Sequence, residues 1–481
     1  MNNSFRSLSG RLRSFTLARI DGCLLAGFIL FYVAVGSVLL PYLPLWLDEI
    51  IQVYIVRVQT LGDVLWGAAR SAGGVPMGYV VSFCTLKVLD YSEASARAPS
   101  LFFSSLACIG VFVLARRSGL KQPMLAVILF AILPIQFRYA TEARPYSMAL
   151  CISIWSTVAI LRLRTKPTVG RLMTYVALAV LGIYSQPYSL FVPVAHFLWF
   201  ALSARESRRQ LLYSGVALVI AGLLFLPWYL YAAPFWRNEI QLSPAHLRFS
   251  DGLRILRELI GAGYLGTLIL LAAGVYGSRK LAQKERQFWI LYLIVPVLGA
   301  VIGDISFAYF FAVRQMIYVT VPLSLMAALG IERISQRSPM SAAGFVACIL
   351  FSFVYSSTSF FLRPREDWKA ASARLAAETQ RGACVMLSPD ASSYIYSLFQ
   401  PGFSQHICPA DCGRFEAIAV ATSPYYSSQR HMELEANLVE RGWREIARYR
   451  FSGPEVVVFR KGRLKGVKSR PDPIRTLSAA E

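Results

Sequence analysis

Charged residues are scarce in this 481-residue chain: they make up 16% of it, against about 25% in soluble globular proteins. Acids are scarcer than bases, 27 against 49, and histidine occurs only four times. So few charges do not furnish the water-facing shell of a soluble enzyme. With 56% hydrophobic residues, the chain is also not a disordered one. His196, His246, His406 and His431 stand at no metal-ligand spacing. No repeat at solenoid periods is visible, which excludes a stacked-repeat architecture.

What the sequence has in quantity is long apolar runs. The first, Gly22–Leu40, is about as long as a bilayer core requires, roughly 20 residues. It follows a polar segment, 1–19, with Arg6, Arg11, Arg13 and Arg19 and no acid. No small-residue cleavage site follows it, so the run is expected to be an uncleaved anchor. Ten more runs lie near 98–115, 122–137, 145–161, 172–186, 188–203, 211–231, 259–277, 288–303, 310–330 and 340–361. The segment Val75–Leu89 is apolar but short, and Lys87 interrupts it, so it is expected to lie flat at the interface.

The net charge of +22 could suggest nucleic-acid binding. Its distribution argues otherwise. With eleven spans and a cytoplasmic N-terminus, the inner segments hold twenty basic residues and only three acids, Glu206, Glu285 and Glu332. The outer segments are nearly balanced. This is the positive-inside pattern, and the inner segments are too short and dispersed for a basic groove. Counting Val75–Leu89 as a span would put Arg116, Arg117, Arg162 and Arg164 outside.

An odd number of spans places the end of the chain outside. Trp368–Thr379 and Ser428–Arg441 have helical spacing, and Ala383–Leu387, Ala417–Ala421 and Glu455–Phe459 read as short buried strands. The expected layout is a cytoplasmic segment over 1–19, a transmembrane domain over 20–362, a small α/β domain over 363–460, and a basic, disordered tail over 461–481. Within the transmembrane domain, the first outer loop, 41–97, carries interfacial helices. Cys408 and Cys412, in Cys-Pro-Ala-Asp-Cys, could be paired or free, because so short a loop strains a disulfide.

Three outer-face features could carry chemistry. Asp48 and Glu49 are adjacent carboxylates just beyond the first span. They suit a general base at the interface or the first turn of an interfacial helix. Arg138-Tyr-Ala-Thr-Glu142-Ala-Arg144-Pro-Tyr146 falls between two spans. Its guanidinium groups suit a phosphate, and Glu142 could assist the base or form a structural ion pair. Arg314 opens a late span, where it could bind a lipid phosphate or reach the head groups. His196, inside an apolar run, suits a hydrogen bond between helices.

In this order the features resemble the GT-C class of integral-membrane glycosyltransferases. The likeness is to families 39 and 83, which include protein O-mannosyltransferases and the lipid A aminoarabinose transferase. The resemblance rests on Asp48-Glu49, Ala96-Arg97-Ala98-Pro99-Ser100, Glu142-Ala-Arg-Pro-Tyr146, Arg314 and Glu366-Asp367-Trp368. In layout it covers most of residues 20–370. It implies inverting transfer of a sugar from a polyprenyl-phosphate donor to a glycolipid or protein hydroxyl, on the periplasmic face of a bacterial inner membrane. It also implies that Asp48 is the base, with Glu49 and Glu142 in support and Arg144 and Arg314 on the leaving phosphate. Many relatives carry His or Lys before the proline that opens the flat helix. Here Gly73-Gly74-Val75-Pro76-Met77 has neither, so Arg70 or Arg138 is expected to serve. No cofactor is expected, and the outer loops contain no Asp-x-Asp metal motif. The rival reading is a lipid-linked-sugar flippase or another transporter, although the internal repeats and mid-membrane charges usual in transporters are missing.

Overall fold

In the computed structural model, the described residues are 2–71, 73–240, 252–260, 264–307, 312–362, 365–388, 392–408, 415–423 and 428–461. The chain begins with a long helix, α1 (Asn2–Leu39), followed by α2 (Leu47–Val56), α3 (Leu61–Arg70) and α4 (Pro76–Leu89). Then come α5 (Glu93–Arg117), α6 (Pro123–Ile132), α7 (Pro134–Ala140), α8 (Tyr146–Thr165), α9 (Val169–Ser185), α10 (Phe191–Leu202) and α11 (Ala204–Ile240). The helical part ends with α12 (Gly252–Ile260), α13 (Tyr264–Ser278), α14 (Gln283–Phe307), α15 (Thr320–Arg337) and α16 (Pro339–Leu362). A 3-10 turn over Val313–Val319 leads into α15. Contacts divide the chain into two units: Met1–Pro41 with Ile55–Phe361, and Tyr42–Tyr54 with Leu362–Glu481.

The first unit is a polytopic helical membrane protein. Among the described residues, seven helices are long and apolar enough to cross a bilayer, and the bent pair α6–α7 makes eight if it is one span. The count of about eleven expected from the apolar runs therefore exceeds what length supports. Three of the expected spans form apolar segments of only 15–17 residues, Val169–Ser185, Pro187–Leu202 and Tyr264–Ser278, and the second of them begins with a 3-10 turn. The segment read as flat, Pro76–Leu89, is likewise a short apolar helix.

Proline and glycine decide the geometry of this unit. Pro134 disfavours a helical conformation for the residue before it. Leu133 accordingly adopts φ −54° and ψ 127°, and the axis turns by 71° between α6 and α7. α13 and α15 meet backbone to backbone. A Cβ on Gly330 would overlap the Ala273 carbonyl, and one on Gly277 would overlap the Met326 carbonyl. Small residues at such contacts let membrane helices approach closely. Arg97 is almost fully buried, and its Nη1 donates to the Leu40 carbonyl at 2.5 Å, just past the end of α1. A cation there also suits the negative end of the helix dipole. His196 bonds Thr157 Oγ1 at 3.2 Å and the Tyr175 hydroxyl at 3.1 Å, the packing role expected of it.

The second unit contains a four-stranded sheet. Its strands are β1 (Ala383–Ser388), β2 (Ala417–Thr422), β3 (Trp443–Arg450) and β4 (Glu455–Lys461), in the order β1-β2-β4-β3. β1 and β2 are parallel, and the other two pairs are antiparallel. The helices are α17 (Trp368–Gln380), α18 (Ser393–Phe399) and α19 (Ser428–Glu440). The sequence reading located α17, α19, β1, β2 and β4. It missed α18 and β3, whose Arg444, Glu445 and Ile446 are exposed. Cys408 is disulfide-bonded to Cys384, 24 residues earlier, which corrects the pairing considered with Cys412. The isolated bridge Val385↔Ile407 beside the bond supplies the proximity that local spacing does not reveal. Cys412 and the expected disordered tail from residue 462 lie outside the described residues.

If the α13–α15 contact depends on glycine, Gly330→Ala lowers the midpoint of thermal unfolding in detergent by the equivalent of about 1–3 kcal/mol. Gly344→Ala, with open space around it, leaves the midpoint unchanged.

Candidate active site

The bend at Pro134 carries α7 to a small polar cluster in the first unit. Gln136 Nε2 donates to Thr320 Oγ1 at 2.7 Å, which ties α7 to the start of α15 and hence to the turn that bears Arg314. Arg138 and Arg314 line one cavity of about 170 Å³, with Tyr139, Val313 and Glu258 also in its wall. Glu142 is wholly buried, and its Oε1 accepts from Arg138 Nε at 3.0 Å. A buried carboxylate must be paired and hydrogen-bonded to be tolerated. The pair therefore fixes where the Arg138 guanidinium lies.

Arg144 joins this cluster through Tyr146. The Arg144 and Arg314 guanidinium carbons lie 5.8 and 5.6 Å from the Tyr146 ring centroid. The Tyr146 ring in turn stands edge-on to Tyr139, with centroids 4.8 Å apart. The Arg144 backbone is held from α5, where Ser100 Oγ donates to its carbonyl at 3.0 Å. Gly78 of α4 approaches Pro145 so closely that a Cβ would stand 2.7 Å from the Pro145 Cβ. The segment 138–146 thus reaches its place through contacts with α4, α5 and the turn that bears Arg314.

Arg70 is placed elsewhere. Its guanidinium stacks on Trp66, 3.7 Å from the ring centroid, and faces Phe235 at 5.0 Å. It is not a lining residue of the cavity that Arg138 and Arg314 share.

The acidic pair belongs to the second unit. Glu49 is wholly buried at the third helical position of α2, and its Oε2 accepts from the Trp46 N–H at 3.4 Å. This is the reciprocal half of a capping box. Arg365 Nη1 lies 3.4 Å from the same oxygen. Asp48 is partly exposed. The two carboxylates therefore differ: Glu49 is wholly buried and holds the start of the helix, and Asp48 is half-buried.

Sequence reasoning gave no role to Glu366 or Tyr146. Glu366 Oε2 accepts from Leu47 N–H at 3.1 Å and from Trp368 Nε1–H at 2.7 Å, so it anchors the first turn of α2 to the start of α17. Burial pushes the Glu366 carboxyl above its usual range, and Asp48 pushes it further. The two donors and Arg365 oppose that rise. The Glu366-Asp367-Trp368 motif was the available signal. Among the described residues, no three His, Cys, Asp or Glu side chains gather closely enough to hold a metal.

A carboxyl raised on folding contributes most stability below its unfolded value of about 4.3, and loses it as pH rises through the folded value. Glu366→Gln keeps an acceptor oxygen for both donors and removes the titration. Its unfolding midpoint relative to wild type should rise between pH 4 and pH 7. Glu366→Ala should be destabilised at both, by about 2–4 kcal/mol for two lost hydrogen bonds.

Residues 74–231 match the sequence model of a family described as dolichyl-phosphate-mannose-protein mannosyltransferase. The undecaprenyl phosphate-alpha-4-amino-4-deoxy-L-arabinose arabinosyl transferase of Serratia proteamaculans is 26% identical over 226 residues, 42% of this chain. That alignment spans 40% of the relative's own length. Two crystal structures of ArnT from Cupriavidus metallidurans have the same fold, one bound to undecaprenyl phosphate and one in the apo state. Their TM-scores are 0.63 and 0.58, each at 13% identity and covering 90% of this chain and 98% of that one. Family segment, curated relative and fold agree in one likeness: the chain is a homologue of the protein mannosyltransferases and ArnT and shares the membrane fold of ArnT.

Proposed function

We propose that the protein transfers a sugar from a polyprenyl-phosphate donor to a hydroxyl of a glycolipid or protein at the periplasmic face of a bacterial inner membrane. The observation that carries this reading is the meeting of Arg138 and Arg314 on one cavity, with Arg144 beside it on the Tyr146 ring. Guanidinium groups fixed before the reaction are suited to the charge that grows on a departing phosphate. One solved relative, ArnT, is described as bound to undecaprenyl phosphate, which agrees with a lipid monophosphate as the leaving group.

In this reading Asp48 takes the proton of the acceptor hydroxyl. The oxygen attacks the anomeric carbon, the bond from that carbon to the phosphate oxygen breaks, and the configuration inverts. The polyprenyl monophosphate leaves with the bonding electrons, and Arg138, Arg144 and Arg314 hold its charge. Glu142 positions Arg138, and Glu49 positions the helix that bears Asp48. Arg70 has no part in the phosphate site.

The sidedness follows from charge. In this reading the three short apolar helices Val169–Ser185, Pro187–Leu202 and Tyr264–Ser278 cross as well as the seven long helices and the bent pair, and Pro76–Leu89 does not, which keeps the basic segments on the inner side. The shortest, of 15 residues, spans about 22 Å and requires local thinning of the bilayer. The Cys384–Cys408 disulfide is in keeping with an oxidising compartment for the second unit.

Transfer of radiolabelled sugars from a panel of undecaprenyl-phosphate donors by the purified, reconstituted protein tests this. Asp48→Asn should lose roughly 10²–10⁴ of kcat, and Arg314→Gln roughly 10²–10³. Full activity in Asp48→Asn would refute the base. Movement of labelled lipid across vesicles without transfer would favour a transporter.

A further inference from the structure

A second arginine cluster lies at the other end of the membrane helices. Arg117 in the last turn of α5, Arg162 in the last turn of α8 and Arg171 at the start of α9 line one cavity of about 290 Å³. Trp155, Val158 and Leu178 form its apolar wall. This size is near the lower end of small-molecule sites, about 300–1,000 Å³. α8 has 20 residues, so its ends are about 30 Å apart. That is the thickness of a bilayer core, and Arg162 lies about 24 Å along the helix from Tyr146 and the candidate active site.

The arrangement differs from a scatter of inner-face charges in three respects. Arg171 is pinned, since its Nη1 donates to the carbonyls of Arg162 at 2.8 Å and Lys166 at 2.9 Å. The positive charges repel one another, as Arg162 and Arg171 both act on Arg117. No acid lines the cavity, and the nearby acids are engaged elsewhere. Asp21 pairs with Arg116 at 3.5 Å, and Glu332 accepts from the backbone N–H groups of Lys121 and Gln122 at 2.8 and 2.9 Å. Among the described residues, neither Arg117 nor Arg162 has an ion-pair partner.

Three guanidinium groups at a mouth, with an apolar wall extending from them toward mid-helix, match an amphiphile with an anionic head. We propose that this cavity binds the phosphate headgroup of an anionic phospholipid, with an acyl chain lying along Trp155 and Leu178. The phosphate supplies the counter-charge that the lining residues lack. Basic pockets between helices on the cytoplasmic side are suited to such head groups. The apolar wall selects a lipid over a free anion, because inorganic phosphate gains nothing from it. The proposal does not depend on the catalytic reading, since it concerns the opposite end of the helices.

The test uses the full-length protein in phosphatidylcholine nanodiscs with increasing phosphatidylglycerol. It reads bound lipid by native mass spectrometry and the thermal unfolding midpoint. Wild type should retain phosphatidylglycerol selectively. R117Q/R162Q should bind it roughly thirtyfold more weakly, and R117Q alone roughly fivefold. Arg171 is left intact because it holds the turn after α8, and the exposed Arg117 provides a variant whose folding is not at stake. R333Q/R337Q, which makes the same change in net charge elsewhere, should bind as wild type does. No preference for phosphatidylglycerol in wild type, or equal weakening in R333Q/R337Q, would overturn the proposal. Stabilisation by millimolar inorganic phosphate equal to that by phosphatidylglycerol would also overturn it, in favour of a free-anion site.

Discussion

Glu142 is a carboxylate with no exposed surface, in a chain that has few acids to spare. In such surroundings an ionised acid persists only with a partner, and its bond to Arg138 provides one. The same bond fixes the guanidinium of a residue that would otherwise have many rotamers. The bend at Pro134, the Gln136–Thr320 bond and the Ser100–Arg144 contact serve the same end. Each holds a backbone segment so that a positive charge stands where apolar helices would not place it.

The second unit follows the same logic with the signs exchanged. The Glu49 and Glu366 carboxylates accept at the start of α2, where backbone N–H groups require acceptors. Of the adjacent pair, Glu49 is wholly buried and Asp48 only partly so. A side chain tied into a helix cap is poorly placed to exchange protons with a substrate. The difference in surroundings between Asp48 and Glu49 thus follows from capping geometry, and their adjacency in sequence hides it.

Much of this was legible in the sequence, for physical reasons. Apolar runs announce membrane helices because a bilayer requires length and hydrophobicity together. The arginines at 138, 144 and 314 were visible as charges where charges are costly. The number of crossings was less legible, because Tyr264–Ser278 is apolar enough but short. β3 escaped because most of its side chains from Arg444 onward are exposed or half-buried, so no apolar alternation marks it. The Cys384–Cys408 bond depends on chain segments meeting across 24 residues, and spacing carries no signal of that. Arg70 is read from its position as an alternative phosphate ligand, and the sequence does not announce that its guanidinium lies over Trp66 and faces Phe235.

The account stands or falls on where the donor's phosphate sits. A cryo-electron microscopy structure of the protein with undecaprenyl phosphate would locate it directly. The account predicts phosphate density within hydrogen-bonding distance of the Arg138 and Arg314 guanidinium groups, in the cavity they share. Phosphate density at Arg70, or anywhere remote from both arginines, would contradict it.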